Sequence, residues 1–217
     1  YGVESERVHI INHQPSIAIS KFNPKTSKPT KKYNLPKNYV FYPANFLPHK
    51  NHKHVIDAIK LLNTEHKKDF SAVFCGADKG YLNKIKRYVE KKNLSKNIIF
   101  LDFVESADLP FLYLNSLALT MPTFSGPTNI PPWEAFKLGV PVIYSDIFNI
   151  KEVYEEAVCY IDPYKPETTA NALLDIINKP EIRKKLINNG KNLLEKIHFN
   201  NEVQKILEIL NKNKKIK

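Results

Sequence analysis

From Tyr39 onwards, the chain alternates between short apolar runs and longer segments in which apolar residues recur every three or four positions. A short apolar run between loops is typical of a buried strand, whereas the longer period is typical of a helix that buries one face. Strands that alternate with helices favour a parallel sheet covered on both faces, because each crossover returns the chain across the sheet. The pattern therefore predicts an α/β domain with a doubly wound parallel sheet.

The predicted elements follow from this alternation. Strands are expected at residues 39–44, 70–75, 97–101, 116–121, 141–145 and 157–161. Helices are expected between them, with Asn51 and Ser106 as N-terminal caps of two of these, and further helices at 166–178, 180–198 and 201–211. In the helix after the first strand, apolar residues share one face, which is expected to pack on the sheet: Val55, Ala58, Ile59 and Leu62.

The segments that flank this region differ in composition. Residues 1–38 are expected to hold a short leading strand and a surface linker rich in Pro, Ser and Lys. Residues 39–198 form the predicted domain, and residues 199–217 form a C-terminal helix with a Lys-rich tail. Since the only methionine is Met121, we expect that an N-terminal part of the protein precedes this chain.

The net charge is +11, and lysine carries most of it, since the only arginines are Arg7, Arg87 and Arg183. Nucleic acid, an anionic membrane surface and an anionic small ligand are the partners that such a charge favours. The lysines are scattered along the chain, which indicates a solvated surface, with a peripheral contact to anionic membrane as the second interpretation. Nucleic acid is not expected as a partner, because the charge is accompanied by no recognition motif and no aromatic interleaving.

The cysteines and the hydropathy indicate the compartment. Cys75 and Cys159 fall in separate predicted strands, where thiols usually serve as packing residues of a reducing environment rather than as a disulfide. No apolar run approaches the roughly 20 residues that cross a bilayer. The expected location is the cytoplasm, with the inner face of the cell membrane as the site of any peripheral contact.

Ligands of doubly wound sheets bind outside the carboxyl ends of the strands. The loops that follow the first four predicted strands should therefore meet at one edge of the sheet. These loops comprise residues 45–51, 76–80, 102–106 and 123–129.

Residues 122–139 contain the most informative of these loops. Asn129 is a suitable N-cap, Pro131 and Pro132 suit a first helical turn, and Gly139 is a natural C-terminal stop. A helix that begins at the carboxyl end of a strand presents free N–H groups and a positive dipole end, which favour a phosphate or another anion. Glu134 is expected near the first turn, where its carboxylate can accept hydrogen bonds from a diol attached to that anion, or simply stabilise the helix dipole.

Motifs of other enzyme classes are missing from the sequence. It holds no G-x-G-x-x-G, no phosphate-binding Walker loop and no G-x-S-x-G. His49, His52 and His54 lie close together, but lysines interleave with them and no carboxylate or cysteine stands at ligand spacing. We therefore expect neither a metal nor another cofactor.

Residues 122–143 resemble the signature of retaining GT-B glycosyltransferases of family 4. This signature is Glu, seven residues, Glu, then Ala-x-x-x-Gly-x-Pro-Val-Ile. The matching residues are Glu134, Ala135, Gly139, Pro141, Val142 and Ile143. Gly126 stands where the family has its first glutamate, and Pro127-Thr128-Asn129 follows, a variant associated with one branch of that family. The resemblance covers nearly the whole chain and implies a Rossmann-like C-terminal domain that binds the sugar donor.

The resemblance also implies roles for particular residues. Lys50 matches a lysine that grips the donor's phosphates, whereas Asn45 replaces the family's arginine. Either Asn45 donates a neutral hydrogen bond there, or His49 or another cation compensates for the lost charge. Glu134 takes the place of the glutamate that binds the ribose, and Phe103 lies where a loop frames the base, although core packing is an alternative role for it. The phosphates are expected to meet hydroxyls and main-chain N–H groups of Ser125, Gly126, Thr128, Asn129 and Ile130, while Asn129 or Thr128 can serve the sugar.

The favoured hypothesis is a glycosyltransferase domain that binds a nucleoside-diphosphate sugar and transfers the sugar with retention to a glycan or lipid hydroxyl. Lys50 and Glu134 are the residues to which we assign the chemistry. The partners are then the donor, an acceptor of unknown structure and an N-terminal domain, without which the chain should bind donor but transfer nothing. The alternatives are a basic module that binds nucleic acid or anionic membrane, and a GT-B-like epimerase or phosphorylase.

Overall fold

The structure, a computed structural model, describes residues 2–11, 13–24, 32–67, 69–126, 129–197 and 199–214. Its centre is a six-stranded parallel sheet with the strand order β3-β2-β1-β4-β5-β6. The strands are β1 (Tyr39–Pro43), β2 (Ser71–Cys75), β3 (Ile98–Leu101), β4 (Ala118–Met121), β5 (Val142–Ser145) and β6 (Cys159–Ile161). All the strands expected from residue 39 onwards are present, and the doubly wound α/β fold is confirmed.

The helices contact one another in two groups, as expected for a sheet covered on both faces. One group contains α2 (His52–Glu65), α3 (Leu82–Lys91) and α7 (Pro166–Asn178). The other contains α1 (Ile17–Ser20), α4 (Leu109–Leu114), α5 (Ile130–Leu138) and α8 (Pro180–Lys196). The two groups meet where α7 is followed directly by α8, and these two helices contact each other. The remaining helices are α6 (Ile150–Tyr154) and α9 (Phe199–Lys214), and short 3₁₀ turns cover Ser5–Arg7 and Pro48–Lys50.

The core is formed by the strands and by the inner face of each helix. Val55, Ala58, Ile59 and Leu62 of α2 are all buried, so the face expected from their spacing is confirmed. Burying such side chains contributes roughly 1.5–3 kcal/mol each, which is why the apolar runs predict the strands well. In the described part of the chain, no helix is both long enough and apolar enough to cross a bilayer.

The prediction of a leading strand within residues 1–38 is wrong for the residues that the structure describes. Before Tyr39 they form only the turn at Ser5–Arg7 and the short α1, and Val8 and Ile10 are exposed. A strand needs a neighbour to pair its main-chain groups, and no described strand runs beside this segment.

The two cysteines are only half-buried, because they stand at the last position of β2 and the first of β6 rather than inside the strands. Both are free thiols, as expected. Burial raises the pKa of Cys75 to about 11, so this thiol stays protonated and weakly reactive at neutral pH.

Two of the expected helix caps are wrong. Asn51 does precede α2, but it has a left-handed backbone, and its side chain donates to the carbonyl of Pro163 at 2.8 Å instead of capping the helix. Helix α4 begins at Leu109 with Asp108 before it, so Ser106 lies outside the capping position. In both cases the side chain that would cap the helix is elsewhere, and the helix is held by its buried face.

Candidate functional site

The loop after β1 touches the loops that follow two other strands. The main-chain N–H of Phe46 donates to Ala77 at 3.0 Å, and the side-chain oxygen of Asn45 accepts from the N–H of Ala77 at 3.0 Å. On the other side, the carbonyl of His49 accepts from the hydroxyl of Thr123 at 3.0 Å and from the N–H of Phe124 at 2.8 Å. The convergence expected at this edge of the sheet is therefore present for loops 45–51, 76–80 and 123–126, which together with Asn129 we call the Lys50 crevice.

Lys50 is held at the centre of this crevice by its backbone and by its side chain. The hydroxyl of Tyr42, on β1, donates to the carbonyl of Lys50 at 2.6 Å, which fixes the end of the 3₁₀ turn. The ammonium group of Lys50 lies 3.0 Å from the side-chain oxygen of Asn129. Burial lowers the pKa of Lys50, because its surroundings solvate the charge less well than water does. An anion at this position would restore that lost solvation.

Asn129 stands at the N-cap position of α5, but it is not the side-chain cap that we expected. Its amide nitrogen donates to the carbonyl of Gly126 and to the hydroxyl of Tyr144, while the hydroxyl of Tyr154 donates to its main-chain carbonyl at 3.1 Å. The side chain thus connects the start of α5 to Lys50 and to β5. The first turn of α5 keeps its dipole and its unpaired N–H groups for a ligand, although its prolines contribute none.

Gly126, which stands where the related family has a glutamate, has a conformation that favours glycine. Its φ is +103°, and a Cβ at this position would lie 3.2 Å from the side-chain nitrogen of Asn129. A larger residue would strain this loop and push Asn129 away from Lys50. The glycine is therefore part of the arrangement that places Asn129 beside the lysine.

Glu134 lies deeper than the sequence led us to expect. It is the fifth residue of α5, in the second turn rather than the first, and only 6% of it is exposed. The hydroxyl of Tyr113 donates to its Oε2 at 2.7 Å. Burial and the neighbouring carboxylate raise the pKa of Tyr113 well above its usual value, so the phenol remains a donor. Oε1 makes no hydrogen bond to the described residues and is not among their fully enclosed polar atoms, so it is the oxygen left for a ligand.

The other expected site residues are placed as follows. His49 is half-buried, and burial together with the nearby Lys50 lowers its pKa, so its ring is neutral at pH 7. Ser125 is exposed, and its carbonyl accepts from the hydroxyl of Thr123 at 2.6 Å. Ile130 is 42% exposed at the first position of α5. Thr128 lies outside the described residues.

Phe103 is not brought into contact with the Lys50 crevice by any described hydrogen bond or ring contact. Its side chain is 78% exposed, so core packing, the alternative role considered for it, is wrong. Its loop is held from the other side, where Glu105 forms an ion pair with Lys32 at 2.6 Å.

Two of the clustered histidines point into the protein interior. His52 is fully buried between the rings of Phe46 and Tyr42, and burial lowers its pKa to about 4. His54 contacts the carbonyl of Pro163 at 3.0 Å and the hydroxyl of Thr169 at 2.8 Å. Among the residues that the structure describes, no group of three His, Cys, Asp or Glu side chains is placed to hold a metal ion.

Sequence reasoning missed the tyrosines that hold this site together. The hydroxyls of Tyr42, Tyr113, Tyr144 and Tyr154 each bond to Lys50, Glu134 or the loop before α5. The available signal was a tyrosine late in two apolar runs, at positions 42 and 144, where a strand ends at the ligand-binding edge of the sheet.

Comparison with protein families matches residues 24–193 to "Glycosyl transferases group 1". The chain belongs to this family. Its six-stranded α/β fold is that of the Rossmann-like C-terminal domains of GT-B glycosyltransferases.

Particular relatives agree with this assignment. The chain is 27% identical over 206 residues to the O-antigen chain mannosyltransferase RfbU of Salmonella typhimurium, a match that covers 95% of the chain and 53% of that protein. Among solved structures, S. aureus TarM in complex with fondaparinux, α-GlcNAc-glycerol and UDP has a TM-score of 0.75 at 17% identity, over 97% of this chain and 40% of TarM. Anabaena HepE in complex with UDP has a TM-score of 0.71 at 19% identity, over 81% of this chain and 49% of HepE. The chain thus spans about half the length of RfbU, and these structural likenesses show its fold.

Proposed function

We propose that this chain is the donor-binding domain of a retaining, metal-independent glycosyltransferase of family 4 that uses a nucleoside-diphosphate sugar. The observation that carries the proposal is the position of Lys50, whose ammonium group lies 3.0 Å from Asn129 at the start of α5. A half-buried cation and the positive end of a helix dipole at the same point favour a diphosphate. No carboxylate among the described residues forms an ion pair with Lys50, so its charge is available to a ligand.

In this reaction the bond between the anomeric carbon and the diphosphate breaks, and the acceptor oxygen forms the new bond on the same face of the sugar. The proton of the acceptor hydroxyl passes to the departing diphosphate. Negative charge accumulates on the departing diphosphate, where Lys50 and the N-terminus of α5 stabilise it. Asn45 gives no charge to replace the arginine of related enzymes, because its amide is neutral. Its side-chain oxygen already accepts from the N–H of Ala77. Main-chain N–H groups of Gly126, Asn129 and Ile130, with Ser125 and Thr128, complete the phosphate site in this proposal.

Glu134 is the proposed partner of the ribose. Because Tyr113 engages Oε2, Oε1 is the acceptor that remains for a ribose hydroxyl. Only 6% of Glu134 is exposed, and its carboxylate has one hydrogen-bond donor, Tyr113. A second donor, such as a ribose hydroxyl, would stabilise this buried carboxylate further. Phe103 lies on the β3 side of the same edge and is the proposed contact of the base.

The donor sugar that we propose is mannose, and the product an O-antigen-type polysaccharide, because the curated relatives are O-antigen chain mannosyltransferases. We further propose that a second domain supplies the acceptor site, so that this chain alone binds donor without transferring the sugar. The cytoplasm is the proposed location, with a lysine-rich surface available to anionic lipid at the membrane.

The test is a titration of the chain with UDP, GDP and ADP. Calorimetry measures the binding, and thermal unfolding measures the stabilisation. At least one nucleoside diphosphate should bind and raise the midpoint of unfolding. Lys50→Met should weaken this binding about 10- to 100-fold, the range expected for the loss of one charge-assisted contact. The matched control is Lys60→Met, which removes the same charge from α2 away from the crevice. Absence of binding by all the nucleotides, or equal binding by wild type and Lys50→Met, would disprove the proposal.

A further inference from the structure

A second concave surface lies at the carboxyl ends of β5 and β6, beside the Lys50 crevice. It has a volume of about 440 Å³ and combines aromatic rings, aliphatic surface and carboxylates. We call it the β6 groove. The side chains that define its chemistry are Phe124, Tyr160, Tyr164, Ile147, Asp146 and Asp162.

Two aromatic rings form one wall of the β6 groove and remain open to solvent. The ring centroids of Phe124 and Tyr164 are 5.1 Å apart, and their planes are tilted by 35°. Phe124 is 39% exposed and Tyr164 is 79% exposed. The negative face of an aromatic ring attracts weakly positive C–H groups, so such a pair fits the C–H faces of a pyranose.

The aromatic pair is held in place from both sides. The main-chain N–H of Phe124 donates to the carbonyl of His49, and that of Tyr164 donates to a carboxylate oxygen of Asp162 at 2.9 Å. Asn51 donates to the carbonyl of Pro163 at 2.8 Å, and His54 contacts the same carbonyl. The rings therefore sit on backbone that is already ordered, which reduces the entropy lost on binding.

The carboxylates decide the class of ligand. Oδ2 of Asp146 lies 2.7 Å from the ammonium group of Lys151, and Oδ2 of Asp162 lies 3.6 Å from that of Lys165. Both carboxylates are partly exposed and can accept hydrogen bonds from hydroxyl groups. Because each carboxylate is paired with a lysine, these groups carry little net charge and offer a phosphate or a nucleotide no unpaired cation. An oligosaccharide is a neutral molecule that fits both features of the groove. Its apolar C–H faces suit the aromatic rings, and its many hydroxyls suit the carboxylates.

The strand order places the β6 groove relative to the proposed donor site. Lys50 follows β1, at the middle of the sheet, and Phe103 follows β3, at one margin. The β6 groove follows β5 and β6, at the opposite margin. Phe124 belongs to both regions, since it lies two residues before Gly126. A donor that extends from Lys50 towards Phe103 leaves the β6 side free for the other substrate.

We propose that the β6 groove binds the oligosaccharide chain of the acceptor, with pyranose rings on Phe124 and Tyr164 and their hydroxyls on Asp146 and Asp162. This inference rests on the proposed glycosyltransferase function and adds a glycan subsite on the donor-binding domain itself. The acceptor would then be held both by the proposed second domain and by this chain, which also holds the leaving group.

The experiment measures two ligands separately on the 217-residue chain. Binding of α-linked mannotriose is followed by saturation-transfer NMR, and binding of UDP and GDP by calorimetry. We expect Phe124→Ala and Tyr164→Ala to weaken mannotriose binding at least fivefold, and Tyr164→Phe to retain it within twofold. The control is Phe148→Ala, which removes an 89% exposed ring outside the β6 groove and should bind mannotriose like the wild type.

The outcomes separate the two proposals. If nucleotide binds but mannotriose does not, or if mannotriose binding survives both alanine variants, the glycan subsite is wrong and the donor site stands. Loss of nucleotide binding in Phe124→Ala and Tyr164→Ala, without mannotriose binding, would make the ring pair a base site and also overturn the inference. If mannotriose binds through the rings but neither nucleotide binds, the donor proposal fails while the glycan site stands.

Discussion

The loops after β1 and β3 were expected to meet the same ligand, yet the structure holds them very differently. The loop of Lys50 bonds to the loops on both sides of it and to Asn129. The loop of Phe103 presents an aromatic ring that is 78% exposed, and its described ion pair leads away from the crevice, to Lys32. Parallel topology brings both loops to one edge, but hydrogen bonds decide which of them is ordered before a ligand arrives.

The ordered side of the site consists of the Lys50 loop and the loops that bond to it, and it depends on a close approach of two backbones. Disrupting this approach should have the largest effect on stability. A Cβ at Gly76 would lie 2.2 Å from the carbonyl oxygen of Ala44, so Gly76→Ala must force the loops after β1 and β2 apart. We expect a loss of about 3–5 kcal/mol in the free energy of unfolding, the upper range for single substitutions.

The matched control for this substitution is Gly80→Ala in the same loop. Gly80 has a φ of +85°, but a Cβ there meets nothing within 4 Å. Its substitution should therefore cost only backbone strain, about 1–2 kcal/mol. Urea unfolding of both variants measures the difference, and equal losses would show that the contact between the two loops does not stabilise this side.

The next largest effect is expected at the buried carboxylate. Tyr113→Phe keeps the ring of Tyr113 but removes the hydroxyl that donates to Glu134. A charged acceptor left with one donor fewer in a buried place should reduce the free energy of unfolding by about 2–3 kcal/mol. The double variant Tyr113→Phe/Glu134→Gln should recover part of this loss in denaturant unfolding. Additive losses in the double variant would contradict an energetic coupling between the two side chains.

The ordered side also contains an acid-sensitive residue, His52, whose enclosed ring nitrogens lie near the backbone of Ala44 but make no hydrogen bond of ordinary geometry in the described chain. Its pKa in the folded chain is about 4, below the ordinary value of 6.5. Between these values the unfolded chain binds more protons than the folded one, so stability falls as the pH falls from 6.5 towards 4. By pH 5 the loss should reach about 2 kcal/mol.

His52→Phe removes this titration while keeping a ring between Phe46 and Tyr42. The drop in the free energy of unfolding between pH 7.5 and pH 5 should therefore shrink by about 2 kcal/mol in the variant. Comparing two pH values for one variant cancels any change in packing. The control is His66→Asn, which removes an exposed histidine just after the same helix and leaves His52 in place.

The two sides also differ in how well the sequence predicts them. Apolar runs predict the strands, since burial of alternate or consecutive apolar residues is a local pattern, and topology then predicts that Lys50 and Asn129 meet. The partners of Asn51 and Glu134 could not be predicted, because Pro163 and Tyr113 lie far away in the sequence. A side chain that local spacing predicts as a cap can instead bond to a partner far away in the sequence. At Asn51 this partner is the carbonyl of Pro163, and at Asn129 the side-chain oxygen accepts from Lys50.

The smallest effect on stability is expected at the exposed ring of the loop after β3. Phe103→Ala removes a ring that is 78% exposed, so the free energy of unfolding should change by less than about 0.5 kcal/mol. If this ring packs on the base of the donor, the same substitution should still weaken nucleoside diphosphate binding about 5- to 150-fold, because an aromatic contact with a base contributes about 1–3 kcal/mol. Phe148→Ala, which removes another exposed ring, should change neither property. Calorimetry and urea unfolding on the same preparations measure both quantities. A loss of stability without a loss of binding would mean that Phe103 supports the fold and does not contact the donor. The loops of Lys50 and Phe103 would then differ only in how exposed they are.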